Sequence, residues 1–358
     1  MASNKFSHFK TINKVQRKNN LSLERSNYFR LDKNERIVKF ENFFMKIIKK
    51  QLNSNQLTTY PNLSNVYKLL SHRLKIKENN LILTGGSDLS IKNCFELLVK
   101  KDSQVVTLNP TYGMVNVYCK LFLAKQIKIN CEKDLTFNHK KICKHINKKT
   151  SLIIIANPNS PTGKILDKKE ILVILKKAKK NNSYVLIDEC YYDYCKETTL
   201  TLIKKFKNLI VCRSFSKIGL AGCRIGCLVT NKKLRGQLYK FRPFYELTSF
   251  SVLVLDNFLK NKTLINSYVN ETKKGKLVIE KYFKNKKGIT IFPTCTNFIL
   301  FSLKNKNMLN KLHKILYKKK FLVNKEKNIP HYKNLIKFTL GPETLMRKFI
   351  HEVDKVIR

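Results

Sequence analysis

A chain of 358 residues, 43% hydrophobic and 10% aromatic, can bury a large core, which excludes a fibrous or disordered protein and points to two domains sharing one site. The formal charge of +48, from 72 basic against 24 acidic side chains, would ordinarily suggest a polyanionic partner. Here the bases are mostly Lys, spread along the whole chain with abundant Asn and Ile and no Trp, as in the drift of an AT-rich genome; a nucleic-acid surface would cluster its charge, favour Arg and interleave aromatics, so a solvated Lys coat is expected and no specific nucleic acid.

The basic start, Met1–Lys18, lacks the apolar segment of a signal peptide and reads as an exposed arm. No apolar stretch is long enough to span a bilayer, so no membrane partner is expected. Further along, short β-branched runs alternate with longer amphipathic segments, the pattern of a mostly parallel α/β sheet flanked by helices. The predicted strands are Asn80–Thr84, Gln104–Leu108, Gln126–Ile129, Ser151–Ala156, Ser183–Asp188, Leu209–Ser214 and Arg224–Thr230. Predicted helices include Asp88–Lys100, Thr111–Leu123, Asp167–Asn181 and Lys232–Phe241. From about Ser251 a long helix is expected to lead into a smaller α+β unit with strands at Thr296–Phe301 and Leu335–Leu340. This divides the chain into an N-terminal arm with part of the small domain (1–40), a large domain (41–250) and a small C-terminal domain (251–358). Ten cysteines include no CxxC pair and no His/Cys cluster at zinc spacing, so neither a disulfide framework nor a metal is expected, and a reducing cytoplasm fits. Cys190, Cys212, Cys223 and Cys227 lie in apolar runs and read as small buried hydrophobes.

The predicted strands end in loops rich in Gly, Pro, Asn or Ser, and open α/β sheets bind ligands at the carboxyl ends of their strands. In Thr84-Gly85-Gly86-Ser87-Asp88 the glycines allow close approach and the free amides of a helix start favour a phosphate, although such a turn is also an ordinary helix beginning. Tyr112, after Asn109-Pro110-Thr111, is either a core tyrosine or a face for stacking on a pyridine ring. In Asn157-Pro158-Asn159-Ser160-Pro161-Thr162-Gly163, Asn157 emerges at a strand end, to bond a cofactor oxygen or simply to shape a rigid turn. Asp188 closes an apolar strand, so its burial calls for a cation opposite, either a protonated pyridine nitrogen or a Lys or Arg. Tyr191 stands three residues on, where its hydroxyl can reach the ring's phenolate oxygen.

Ser214-Phe215-Ser216-Lys217-Ile218-Gly219-Leu220-Ala221-Gly222-Cys223-Arg224 is the most informative segment. A lysine between two hydroxyl residues and a Gly-rich turn, with an arginine seven positions on, can hold an aldehyde cofactor as a Schiff base while the cation and hydroxyls grip its phosphate. It reads as a pyridoxal-phosphate (PLP) site.

In this order the motifs resemble the fold-type I PLP enzymes of the class I/II aminotransferases, of the histidinol-phosphate aminotransferase type. The likeness runs from Leu31-Asp32-Lys33-Asn34-Glu35 to Ile336-Lys337-Phe338-Thr339-Leu340-Gly341. It implies a seven-stranded sheet between helices, pyridoxal 5'-phosphate as cofactor, and a homodimer whose active site is shared across the interface. It further implies that Lys217 binds the cofactor and moves the substrate's proton, that Asp188 pairs with the pyridine nitrogen, and that Asn157 and Tyr191 bind the phenolic oxygen. Tyr112 would stack on the ring. Gly86, Ser87, Asp88, Ser214, Ser216 and Arg224 would line the phosphate pocket, and Tyr60 would reach the phosphate of the neighbouring subunit. Substrate contacts would fall to Asn34, Asn157 and Lys337, the last standing where the family has an arginine for the incoming carboxylate or phosphate. A lysine cannot make the two-pronged contact of a guanidinium, and Phe321-Leu322-Val323-Asn324-Lys325 lacks a second arginine the family commonly has. Arg242-Pro243-Phe244-Tyr245-Glu246 also departs from the family pattern, so that Arg242 or Glu246 contacts the amino substrate or Glu246 lies at the surface. The expected activity is ping-pong amino transfer from an amino acid or amino-alcohol phosphate to a 2-oxo acid. The alternatives are a lyase of the same fold, such as a threonine-phosphate decarboxylase, and more remotely a polyanion-binding protein.

Overall fold

Seven apolar runs pair into one sheet in this computed structural model, which describes Val15 and residues 23–357; apart from Val15, the expected arm at Met1–Lys18 lies outside the described residues. The strands are β1 (Leu81–Thr84), β2 (Gln104–Asn109), β3 (Lys125–Asn130), β4 (Thr150–Ala156), β5 (Tyr184–Asp188), β6 (Leu209–Ser214) and β7 (Gly226–Val229). They lie in the order β1-β7-β6-β5-β4-β2-β3, and only β7 runs against its neighbours. The inner strands are buried almost throughout, which is why β4 and β5 read as continuous apolar runs without alternation.

Helices α1 (Asn42–Gln51), α2 (Ser64–Leu74), α3 (Ser87–Leu98), α4 (Gly113–Leu121) and α5 (Lys168–Lys180) belong to this layer, as does Lys232–Leu238. Helix α5 shows why its sequence is helical. Asp167 accepts from the Glu170 amide at 2.8 Å while Glu170 accepts from the Asp167 amide at 2.9 Å, a reciprocal cap that satisfies two otherwise free donors. Its apolar stripe, Ile171, Ile174, Leu175 and Ala178, is buried.

The expected long helix after Ser251 is two helices, α7 (Ser249–Lys260) and α8 (Lys262–Phe283), with the short α6 (Tyr192–Cys195) preceding them in the chain. Asn261 breaks the run: its backbone leaves the helical region and its amide donates to the Asn257 carbonyl at 2.7 Å, the kind of local bond by which Asn competes with a helix ladder. Residues as far as Val269 pack into the first core, so the α7–α8 pair carries the chain from one core to the other. The second core lies on an antiparallel sheet of β8 (Ile289–Phe292), β9 (Phe298–Leu303), β10 (Asn324–Glu326) and β11 (Leu335–Thr339), ordered β10-β11-β9-β8. Helices α8, α9 (Lys306–Lys318) and α10 (Glu343–Ile357) cover it, and Phe338 stacks on Phe349 at 4.3 Å. Phe29–Arg30 pairs in parallel with Phe321–Leu322, fastening the early chain to this second unit. Among the described residues no helix is long and apolar enough to cross a membrane, and no cluster of His, Cys, Asp and Glu could hold a metal ion.

Gly275 in α8 marks the closest approach between the last helices. A Cβ there would overlap the Gly341 carbonyl oxygen and come within 2.8 Å of Met346 Cγ. Gly275→Ala is therefore expected to lower stability by about 1–3 kcal/mol, the usual cost of overfilling a packed site. It should appear as a lower denaturant midpoint with unchanged slope, and an unchanged midpoint would show that the helices can part freely.

Candidate active site

Strand register gathers polar groups along one edge of the large sheet. Thr84 pairs with Gly226, Gly226 with Ser214, Cys212 with Asp188, and Asp188 with Ala156. The loops leaving that row enclose a cavity of about 250 Å³, whose walls include Ser87, Tyr112, Asp188, Tyr191, Lys217 and Arg224.

One end of the cavity is built for an anion. Gly86 has a φ of +91°, and a Cβ on it would sit 2.7 Å from Arg224 Nη2. A Cβ on Gly226 would sit 2.5 Å from the Ser87 amide nitrogen. The Gly86–Ser87 turn is thus pressed between β7 and a guanidinium, a close approach that only glycine allows. Ser87 begins α3, where backbone amides have no helical acceptor. Ser214 and Ser216 stand opposite, with Ser214 Oγ accepting from the Ser216 amide at 3.1 Å. Asp88 also lines this end, but its Oδ1 accepts from the Tyr118 hydroxyl at 3.0 Å. Arg224 has no carboxylate partner among the ion pairs of the described residues.

Asp188 and Lys217 hold the other end. Asp188 Oδ1 accepts from the Cys190 amide at 3.0 Å, and burial pushes its carboxyl upward from the ordinary value against the pull of that bond and of Lys217. Among the described residues no Lys or Arg forms an ion pair with it. Lys217 rides on a single π-turn, Ser216–Leu220, whose position is fixed by the Tyr194 hydroxyl donating to the Lys217 carbonyl at 2.8 Å. Its Nζ donates to the Lys33 carbonyl at 3.4 Å and lies 5.8 Å from the centre of the Tyr191 ring. Burial lowers its pKa from the ordinary 10.5, with Cys190, Asp188 and Glu35 opposing.

Four expected site residues are placed elsewhere. Asn157 closes its amide on Leu166, donating to the carbonyl at 3.0 Å and accepting from the amide at 2.8 Å, and it is Ser160 of the same loop that lines the cavity. Asn34 is buried and donates to the Tyr191 hydroxyl at 2.8 Å, so it orients a wall residue and does not face the cavity. Lys337 is nearly buried on β11, its ammonium 2.8 Å from Glu326 and 5.5 Å above the Phe298 ring. Tyr60 lies outside its own chain's cavity, 78% exposed and stacked on Tyr245 at 4.3 Å. Glu246 is no surface residue: it is buried, accepts from the Tyr67 hydroxyl at 2.9 Å, and shares a separate cavity of about 580 Å³ with Arg242. Lys33, Glu35 and Cys190 line the first cavity although sequence reasoning gave them no role; Ser160 sat within a quoted motif, beside Pro161, and was passed over for Asn157.

An unpaired guanidinium, serine hydroxyls and helix-start amides at one end, with an unpaired buried carboxylate and a lysine at the other, match the phosphate, ring nitrogen and aldehyde of PLP. The profile of aminotransferase class I and II matches residues 28–353. The chain belongs to this family. A histidinol-phosphate aminotransferase of Clostridium novyi is 30% identical over 317 residues, covering 87% of each chain. The solved histidinol-phosphate aminotransferase of Sinorhizobium meliloti in complex with pyridoxal-5'-phosphate matches with a TM-score of 0.87 at 17% identity, over all of this chain and 98% of that one. An L-threonine-O-3-phosphate decarboxylase of Porphyromonas gingivalis has the same fold, at a TM-score of 0.77 and 18% identity over 91% of this chain and 98% of that one.

The enzyme is a PLP-dependent aminotransferase of α/β, fold-type I architecture. Bound PLP supplies an electron sink for charge developing at the substrate's α-carbon. Asp188 would keep the ring nitrogen protonated, and Arg224, Ser214, Ser216 and the Ser87 amide would hold the phosphate. Tyr191, its hydroxyl kept protonated by burial that pushes it up to about 12, accepts from Asn34 and also bonds Ser160 at the cavity wall. Lys217 would take the proton from the α-carbon, a role its neutral amine, favoured by burial, would suit. Lys33 and Glu35 form part of the wall.

Because desolvation disfavours the Lys217 ammonium, the apo-enzyme should gain the reactive neutral amine at lower pH than a free lysine. Its rate of PLP capture, followed by absorbance, is expected to rise with pH and level off below the ordinary lysine value of 10.5. A midpoint at or above that value would show that the amine is solvated.

Proposed function

We propose that the enzyme transfers an amino group between a phosphorylated amino alcohol of the histidinol-phosphate type and a 2-oxo acid, as a cytoplasmic homodimer. The observation that carries this reading is the collinear match to the Clostridium novyi enzyme, 30% identical across 87% of both chains. Lys337, standing where the family has an arginine for the incoming carboxylate or phosphate, is paired here with Glu326. The dimer is supported by an exposed aromatic patch: Tyr60 stacks on Tyr245, and Phe244, 81% exposed, meets Tyr245 edge-on at 5.0 Å. Monomers rarely leave such a patch in water, and its burial against a second copy would bring Tyr60 toward the partner's phosphate site. All ten cysteines are free, which suits a reducing cytoplasm.

Incubation of the PLP-loaded enzyme with histidinol phosphate and 2-oxoglutarate is expected to yield glutamate in step with loss of the donor, and Lys217→Ala should reduce the yield to background. Release of carbon dioxide from a phosphorylated amino acid without glutamate formation would replace this reading with the lyase. Sedimentation should give a dimer, and a monomer at working concentration would remove Tyr60 from the site.

Glu326→Gln tests Lys337 separately. Releasing the ammonium should lower KM for a dicarboxylic substrate by about tenfold, the scale of one charge-assisted contact, with kcat little changed. An unaltered KM would take Lys337 out of substrate recognition.

A further inference from the structure

Cys195 and Cys295 lie far apart in sequence and meet in space. Cys195 ends α6, the short helix that follows Tyr191, whereas Cys295 sits in the loop joining β8 to β9 of the second sheet. Their side chains interact, both residues are half-buried, and Tyr194, next to Cys195 in the chain, lines one cavity with Cys295. The Cys295 amide donates to the Gly163 carbonyl at 2.8 Å, which holds that loop against the first layer. Beside Cys295 opens a cavity of about 270 Å³, walled also by Tyr194, Thr272 and Lys276, with room for a small oxidant.

The charges around the pair divide it into unlike partners. Cys295 is pulled down to about 6, first by the bond from Cys195 and then by Lys276 and Lys164, against burial and Glu197. Cys195 is pushed up by its partner and by burial. Lys276 and Lys164 favour the thiolate at Cys295, and Cys195 beside it is a resolving partner. The other eight thiols are all pushed up by burial, so none matches Cys295 for the first attack on an oxidant.

We infer that Cys195 and Cys295 are an oxidative modification site, closing to a reversible disulfide when the enzyme meets hydrogen peroxide. The Cys295 thiolate attacks one peroxide oxygen, giving a sulfenic acid and, after protonation, one water. The Cys195 sulfur then attacks the Cys295 sulfur and expels the second water. Two thiols thereby lose two electrons and two protons, and one peroxide becomes two waters. The bridge would tie α6 to the second sheet. Because Tyr194 of α6 also holds the Lys217 carbonyl, it would fix the catalytic turn to a loop of the other core and slow any step in which the two move.

The test is a peptide map of the PLP-loaded full chain after brief peroxide treatment, with remaining thiols alkylated before digestion. A Cys195–Cys295 cross-link that vanishes with dithiothreitol, with the other eight cysteines alkylated, is the expected result. Cys295 carried to sulfinic acid with Cys195 still alkylated would overturn the pairing, as would both residues fully alkylated. Aminotransferase turnover should fall severalfold on oxidation and return on reduction, whereas Cys195→Ser should hold its rate under the same peroxide dose. A rate that falls equally in Cys195→Ser would place the sensitivity elsewhere. The peptide map needs neither a variant nor knowledge of the substrate, so it stands apart from the functional reading above.

Discussion

Asp188 and Lys217 face one cavity, and each is taken from water without an ion-pair partner among the described residues. Desolvation pushes both toward their neutral forms, and an uncompensated buried charge typically costs several kcal/mol. Neither residue stabilises its own position, so the fold must impose it. Asp188 is the last residue of β5, paired with Ala156 on one side and Cys212 on the other, so its Cα is set by two ladders of backbone hydrogen bonds. Lys217 is held through its carbonyl by Tyr194 and by the turn that Ser214 braces. A rigid frame therefore holds two groups in unfavourable protonation environments, and a cofactor with a cationic ring nitrogen and an aldehyde relieves both at once.

A second constraint binds the two cores to this frame. Asn34 has a φ of +55°, tolerated by Asn better than by most residues. Its amide nitrogen donates to Thr339 Oγ1 at 2.9 Å, its carbonyl accepts from Asn297 at 3.0 Å, and its side chain donates to Tyr191. One buried residue thus joins the N-terminal loop, strand β11 and the loop before β9 of the second sheet, and the wall of the active site. Arg25 reinforces the loop, reaching Asp32 at 2.6 Å and Glu35 at 2.9 Å. Any shift of the second sheet is transmitted to Tyr191 and Lys33, both of which line the cavity.

Most strands of the large sheet were legible because they are short and buried on both faces, so their apolar runs stand out from a Lys-rich background; the edge strand β3, largely exposed, shows only through Ile127 and Ile129. The strands at Ile289–Phe292 and Asn324–Glu326 were not, since the first leaves its middle residues partly exposed and the second is three polar residues paired with β11 and tied to Asp32 and Asn310. Helices such as Lys306–Lys318 carry an apolar stripe interrupted by frequent lysines, which dilutes the pattern without destroying the helix. The residues around the cavity were legible where a motif joins a strand end to a turn, as at Gly86, Asp188 and Ser214. Asn157, Asn34 and Lys337 were read as reaching a ligand because their residue types can, yet each is consumed by a partner that sequence spacing does not reveal: Leu166, Tyr191 and Glu326. A side chain's capacity is written in the sequence, but whether that capacity is already spent depends on tertiary neighbours.

The charge composition gives the unpaired state of Asp188 its force. With 72 basic side chains against 24 acidic ones, an internal carboxylate has no shortage of cations to draw on. Glu189, the next residue, takes Arg213 at 2.8 Å and is further bonded by Thr198 and Thr199, while Glu326 takes Lys337 and Glu35 takes Arg25. Arg213 also lies 3.6 Å over the Tyr192 ring, so a cation is packed within a few residues of the cavity floor and is directed to Glu189 and away from Asp188. Random drift toward lysine would tend to pair a buried Asp188 with whatever ammonium could reach it. The two neighbouring carboxylates part at the end of β5: Glu189, just past the strand and buried, is tied to Arg213, whereas Asp188 faces the cavity, where Lys217 draws on it without forming an ion pair. One is spent on holding the fold and the other is left for the ligand.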